Sequence, residues 1–170
     1  MKKESYLSVY RAVYSRPWLV TSLEVLSLTV TAFTVLVYSC TLAYMAVLVD
    51  ALLALEYLAV TAIPFLLVTL VRHIINAPRP YEVFDCEYLL PLRERGRGAH
   101  SFPSRHVASS MIIGASLTFV LPWVGALIMI LGIVLGACRV LLGRHFLRDV
   151  LAGGVIGAIS GVVGMLIVNI

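Results

Sequence analysis

Three short stretches of the chain gather side chains suited to handling a negatively charged group. The first is Arg72-His-Ile-Ile-Asn-Ala-Pro-Arg79-Pro80, in which two arginines stand seven positions apart and two prolines fix the chain around the second. A guanidinium is a planar fork of donors that matches phosphate or carboxylate oxygens. The second is Pro103-Ser104-Arg105-His106, where Ser104 is a candidate helix N-cap. The backbone N–H groups that follow such a cap, with the helix dipole behind them, make an anion site, and His106 would sit in its first turn. The third runs from Cys138-Arg139 to Arg144-His145-Phe-Leu-Arg148-Asp149. His145 and Asp149 are four apart, so on a helix they would stack, the carboxylate taking the Nδ1 proton and leaving Nε2 free as a nucleophile. His106, with no carboxylate at helical spacing, is free to act as an acid. Taken together, the set suits an anionic ester better than a cation.

The elements that must position these residues are membrane-spanning helices. Of 170 residues, 61% are hydrophobic and 13% charged, about half the charge of an average soluble domain. A soluble globule cannot bury that much apolar surface, and a disordered chain would not carry it. A span needs about 20 apolar residues. The 25 uncharged residues between Glu24 and Asp50 supply one, and about Leu53–Ile75 a second. The 33 residues between Arg105 and Arg139 carry no Asp, Glu, Lys or Arg, and Pro122-Trp123 divides them. They read as two spans, about Ser104–Leu121 and Trp123–Leu142, and about Phe146–Val168 is the last. The expected fold is an all-α polytopic bundle of five spans in a single domain covering 1–170, with six spans as the alternative. Residues 1–20, mixing Tyr, Lys and Arg, suit an interfacial helix.

Five spans place all 13 Lys and Arg on one face, and the opposite face is almost without charge. The net charge of +4 does not indicate nucleic acid, because membrane-length apolar runs interrupt the arginines. Cys40, Cys86 and Cys138 are widely spaced and odd in number, which suggests neither a disulfide framework nor a zinc site. Gly153, Gly157 and Gly161 give the last span a face for close helix approach, either inside the bundle or in a homodimer.

The three stretches resemble the signature of the type-2 phosphatidic acid phosphatase superfamily: Lys-x6-Arg-Pro, Pro-Ser-Gly-His and Ser-Arg-x5-His-x3-Asp. Here they read Arg72-x6-Arg79-Pro80, Pro103-Ser104-Arg105-His106 and Cys138-Arg139-x5-His145-x3-Asp149. Order and spacing agree across roughly 70–150. Three positions depart: Arg72 stands for Lys, Arg105 for Gly and Cys138 for Ser, changes that bear on substrate preference or rate. The resemblance implies a metal-independent phosphatase with no cofactor. His145 would attack phosphorus, Asp149 would orient it, and His106 would protonate the leaving group. Arg72, Arg79, Ser104, Arg105 and Arg139 would hold the phosphoryl oxygens. Soluble vanadium haloperoxidases share this site, but the apolar spans argue against that branch.

The expected function is hydrolysis of a lipid phosphate or diphosphate, with undecaprenyl diphosphate, phosphatidylglycerophosphate, phosphatidic acid and lipid A phosphates as candidates. A non-catalytic binder or transporter of anionic lipids is the alternative. The loop 76–103, with Glu82, Asp85, Glu87 and Glu94 beside Arg93, Arg95 and Arg97, is expected to cap the site and discriminate headgroups. The positive-inside rule puts the basic face in the cytoplasm. The resemblance favours the opposite side for a cell-membrane protein, and an extracytoplasmic site is the expectation.

Overall fold

A computed structural model describes residues 3–86 and 100–168. Those residues form seven α-helices and no strand. Helix α1 covers Lys3–Tyr14, α2 Pro17–Tyr44, α3 Ala51–Ile75, α4 Pro80–Val83, α5 Arg105–Leu117, α6 Pro122–Leu141 and α7 Leu147–Val168. A π-helical segment, Met45–Val49, prolongs α2. Proline opens α2, α4 and α6, where its missing N–H costs nothing. Asp50 turns the chain between α2 and α3, its carboxylate accepting from Leu52 N at 2.6 Å.

Among the described residues, four helices are long and apolar enough to cross a membrane: α2 with its extension, α3, α6 and α7. Helix α5 differs from the span expected over Ser104–Leu121. It has 13 residues, about 20 Å at the helical rise and short of a hydrocarbon core of about 30 Å. The chain leaves the helix at Thr118 and turns until Pro122 starts α6. Nine of the α5 residues are buried, so it runs through the protein with neighbours on every side. The outer helices instead expose leucine, isoleucine and valine, as lipid-facing surfaces do.

Helix α7 packs along α5 through its small residues. A methyl group on Gly153 would meet Ser104 O at 2.5 Å, one on Gly157 would meet Ala108 O at 2.5 Å, and one on Gly161 would meet Ile112 O at 2.7 Å. Backbone cannot yield as a side-chain tip can. The face that the spacing left open between bundle packing and a homodimer contact is therefore occupied by α5 of the same chain. A homodimer through it would require α5 to leave.

Helix α1 covers Lys3–Tyr14 of the N-terminal segment. Its aromatic side is turned into the protein: Tyr6 and Tyr10 are buried with Tyr81 and Cys86, against Phe84 and Phe146. Tyr14 Oη donates to Leu142 O at 3.1 Å, and Tyr6 Oη accepts from Leu147 N at 3.2 Å. The Tyr10 ring lies where a side chain on Gly143 would project, and Gly143 has φ +69°, so this turn needs glycine twice over. Helix α1 thus clamps the turn that carries His145.

Candidate functional site

The three stretches meet at one end of the bundle. Arg72 lies in the last turn of α3, buried, and its Nη1 donates to Pro103 O at 3.1 Å. The helix ends at Asn76, in the left-handed conformation that asparagine tolerates. The chain then runs past Ala77, whose carbonyl accepts from Ser101 N at 2.8 Å. These two bonds fasten the segment 100–104 to the end of α3. Ser104 N in turn donates to Asp149 O at 2.9 Å, fastening the same segment to α7.

His145 is buried, and its closest partner is not the carboxylate that the spacing suggested. Helix α7 begins at Leu147, so His145 precedes it, and the stacking expected for residues four apart on one helix does not arise. The Asp149 Oδ2–His145 Nδ1 distance is 3.8 Å, beyond hydrogen-bond reach. Nδ1 lies instead 2.8 Å from the backbone carbonyl of Ser101. A carbonyl only accepts, so Nδ1 carries the proton and Nε2, across the ring, is left without one. Asp149 acts one step back: Oδ2 accepts from Ser101 Oγ at 2.5 Å and from Phe146 N at 2.9 Å. It thereby holds the residues on both sides of the imidazole. Ser101 was not singled out by the sequence, in which it is only the end of a polar stretch.

Burial holds the His145 imidazole below its ordinary pKa, and the charges of Arg79 and Arg72 push the same way against the pull of Asp149. The ring is therefore neutral near pH 7. His106, in the first turn of α5, lies within electrostatic reach of Arg139, His145, Arg105 and Arg72. Every residue expected in the site is thus brought to one end of the bundle.

Two expectations about details change. Ser104 occupies the N-cap position of α5, but its hydroxyl makes no cap bond. Its Oγ is fully buried and has no hydrogen-bond partner among the described residues, and neither does Arg79 Nε. Cys138 is buried in an apolar cluster with Val13, Leu23 and Leu142, so it packs α6 against α1 and α2. The cysteines at 40, 86 and 138 are all free thiols.

Glu82 Oε2 accepts from Arg79 N at 2.7 Å, capping α4 and anchoring Arg79. That is a positioning contact within the loop expected to read headgroups. Glu87, Arg93, Glu94, Arg95 and Arg97 of that loop lie outside the described residues. Arg144, next to His145, pairs with Glu24 of α2 at 2.8 Å, a contact that the sequence did not suggest.

Two cavities open beside His106. A polar one of about 610 Å³ is bordered by Glu24, Ser27, Thr31, Arg139 and Arg144. The other, about 680 Å³ and mainly apolar, lies between α2, α3 and α5 and reaches from Arg105 and His106 to Tyr38 and Leu58.

Known proteins share the fold. The chain superposes on LpxE of Aquifex aeolicus with a TM-score of 0.69 and 21% identity, covering 94% of each chain. Against the transmembrane PAP2-type phosphatidylglycerolphosphate phosphatase of Bacillus subtilis the TM-score is 0.67 at 21% identity, covering 98% of this chain and 85% of that one. At such identity the likeness is one of fold. Comparison with curated proteins gives no match. The family model of the PAP2 superfamily matches residues 53–170, which include all three stretches and every helix that carries a site residue, and the chain belongs to that superfamily.

Proposed function

We propose that this multi-pass membrane protein is a lipid phosphatase that removes phosphate from a lipid phosphate or diphosphate through a phosphohistidine. The observation that carries the reading is the buried His145 imidazole, its Nδ1 2.8 Å from Ser101 O and its ring within electrostatic reach of Arg72 and Arg79. Binding an anion needs the arginines; it does not need an oriented imidazole. His145 Nε2 attacks phosphorus, the bond from phosphorus to the leaving oxygen breaks, and His106 gives that oxygen a proton. Water then attacks the phosphohistidine, releasing inorganic phosphate and restoring His145. Arg72, Arg79, Arg105 and Arg139 stabilise the charge on the equatorial oxygens, the task a metal ion often performs in phosphoryl transfer. The substrate's own negative charge is what lets His106 hold a proton beside those arginines. Ser104 Oγ and Arg79 Nε, unpartnered without substrate, complete the oxyanion contacts.

The test is a panel of lipid phosphates and diphosphates presented to purified protein in detergent, with inorganic phosphate as the readout. Release is expected to persist in EDTA and to be blocked by vanadate. No release from any member, or abolition by EDTA that added metal restores, would overturn the reading.

The five-span arrangement has α5 as the short third crossing, leaving α1 and all three motifs on one face. Our proposal has that face outside the cytoplasm. Labelling of an Arg148→Cys variant by a membrane-impermeant thiol reagent in intact cells is expected, since Arg148 is 71% exposed at the site end. Labelling only after permeabilisation would put the site in the cytoplasm. Cys40, exposed on α2, calls for the comparison to be made with Cys40 replaced by Ser.

A further inference from the structure

The apolar cavity beside His106 has a defined end. Its hydroxyl-bearing walls are polar in composition only. Thr31 Oγ1 donates to Ser27 O at 2.8 Å, Thr34 Oγ1 to Val30 O at 2.9 Å and Ser110 Oγ to His106 O at 3.1 Å. Each of these three hydroxyls is satisfied within its own helix, which suits the space to an alkyl or prenyl chain rather than a polar group. Arg105 and His106 border the same cavity, so it is continuous with the phosphate site.

At the far end stands Tyr38. It belongs both to the cavity wall and to the packed region below, where Met45, Tyr57, Leu117 and Ile128 are buried. Its ring lies 5.9 Å from that of Tyr57, and its hydroxyl lies 2.7 Å from Thr61 Oγ1 on α3. Thr61 already donates to Tyr57 O and Leu58 O, both at 3.0 Å, so Tyr38 is the donor to Thr61. The ring is thereby fixed at both ends across the gap between α2 and α3. Between His106 and Ile113, α5 advances about 10 Å.

We propose that the ring of Tyr38 is a depth stop that determines which tail length the site prefers. This rests on the lipid-phosphatase reading for the headgroup, and adds a specificity-determining residue about two helical turns from the chemistry. A tail that ends before Tyr38 fills the cavity. A longer one meets the ring and has to bend out between α2 and α3.

The experiment measures binding of n-alkyl phosphonates of increasing length to the full chain in one detergent. Their phosphorus–carbon bond is not hydrolysed, so the result does not depend on catalysis. Partitioning into the detergent is common to all variants and cancels when the long-to-short affinity ratio is compared between proteins. Tyr38→Ala is expected to raise that ratio on the order of tenfold, the scale of one or two methylenes accommodated or refused in an apolar pocket. Tyr38→Leu should fall between, and Tyr38→Phe, which keeps the ring, should stay within about twofold of the natural protein on the same scale. An unchanged ratio in both Tyr38→Ala and Tyr38→Leu overturns the stop while leaving the phosphatase reading to the phosphate-release assay. A ratio in Tyr38→Phe as high as in Tyr38→Ala also overturns it, because the ring would then not be the obstacle.

Discussion

Phosphate release by a His145→Ala variant is expected to fall on the order of 10⁴-fold or more, with KM changed only a few-fold, since nucleophile removal elsewhere has costs of this size or larger. The asymmetry follows from the division of labour in the site. Arg72, Arg79, Arg105 and Arg139 remain to hold the substrate, so binding survives, while the bond-forming atom is gone. Ser101, the nearest hydroxyl, is no substitute, because its Oγ is committed to Asp149 at 2.5 Å. A variant that kept kcat within tenfold would remove His145 from the mechanism. Enzyme quenched in alkaline denaturant, in which a phosphohistidine survives, should carry labelled phosphate in the natural protein and none in the variant, while retained binding of a lipid phosphonate by the variant separates lost chemistry from lost folding.

The same residue sets a pH dependence. Burial, with the charges of Arg79 and Arg72, keeps the folded pKa of His145 below the ordinary imidazole value of about 6.5. The neutral ring is the reactive form, so it stays available as pH falls through 6.5, and the acid limb of kcat/KM belongs below that value. Stability changes with the same sign. The unfolded chain protonates this histidine near pH 6.5 and the folded chain does not, so the contribution is complete above that pH and shrinks as pH falls toward the folded value.

Most of the bundle is legible in the sequence because lipid imposes a simple rule: uncharged runs of about membrane length become helices. Helix α5 shows where the rule fails. The uncharged run continues through Thr118–Leu121, but a helix surrounded by protein need not span the bilayer alone, and the chain turns early. The arginines and histidines of the site are legible through their types and spacing. Ser101 is not, because it works through a backbone carbonyl that every residue possesses. What makes its carbonyl special is position, fixed by Ala77 O and by the Arg72–Pro103 bond from a helix far back in the chain. Tyr38 and Thr61 are hidden for a similar reason: an aromatic and a threonine in apolar helices are ordinary until the packing brings them 2.7 Å apart. The spacing of His145 and Asp149 is informative but implies the wrong contact, since stacking at four residues assumes a helix that has not yet begun at position 145.

That difference in contact gives the second large expected effect. Asp149→Asn should lower kcat on the order of 10³-fold, within the range that a carboxylate-to-amide change behind a catalytic histidine can reach. Ser101→Ala should lower it about 10- to 100-fold, the usual cost of a lost supporting contact behind a reactive group. The carboxylate does two things: it accepts from Ser101 Oγ and Phe146 N, and it places a negative charge 3.8 Å from Nδ1 that stabilises the ring once it is phosphorylated. Asparagine removes the charge and turns one acceptor into a donor. Alanine at 101 leaves both the charge and the Ser101 carbonyl, and removes only the link that steadies that carbonyl. The coupling is read with Asp149→Ala, since an asparagine Oδ1 can still accept from Ser101 Oγ: alanine at 149 already breaks that link, so adding Ser101→Ala should cost little beyond Asp149→Ala alone and well short of the product of the two. Were Asp149 the direct partner of His145, Ser101→Ala would be nearly silent and the two losses would multiply. The pH profile separates the roles again. Asp149→Asn removes the charge that favours protonation of His145, so the acid limb should move further down, whereas Ser101→Ala should leave it in place. An unmoved limb in Asp149→Asn would mean that the carboxylate's charge does not reach the imidazole, and would reduce Asp149 to a cap on Phe146.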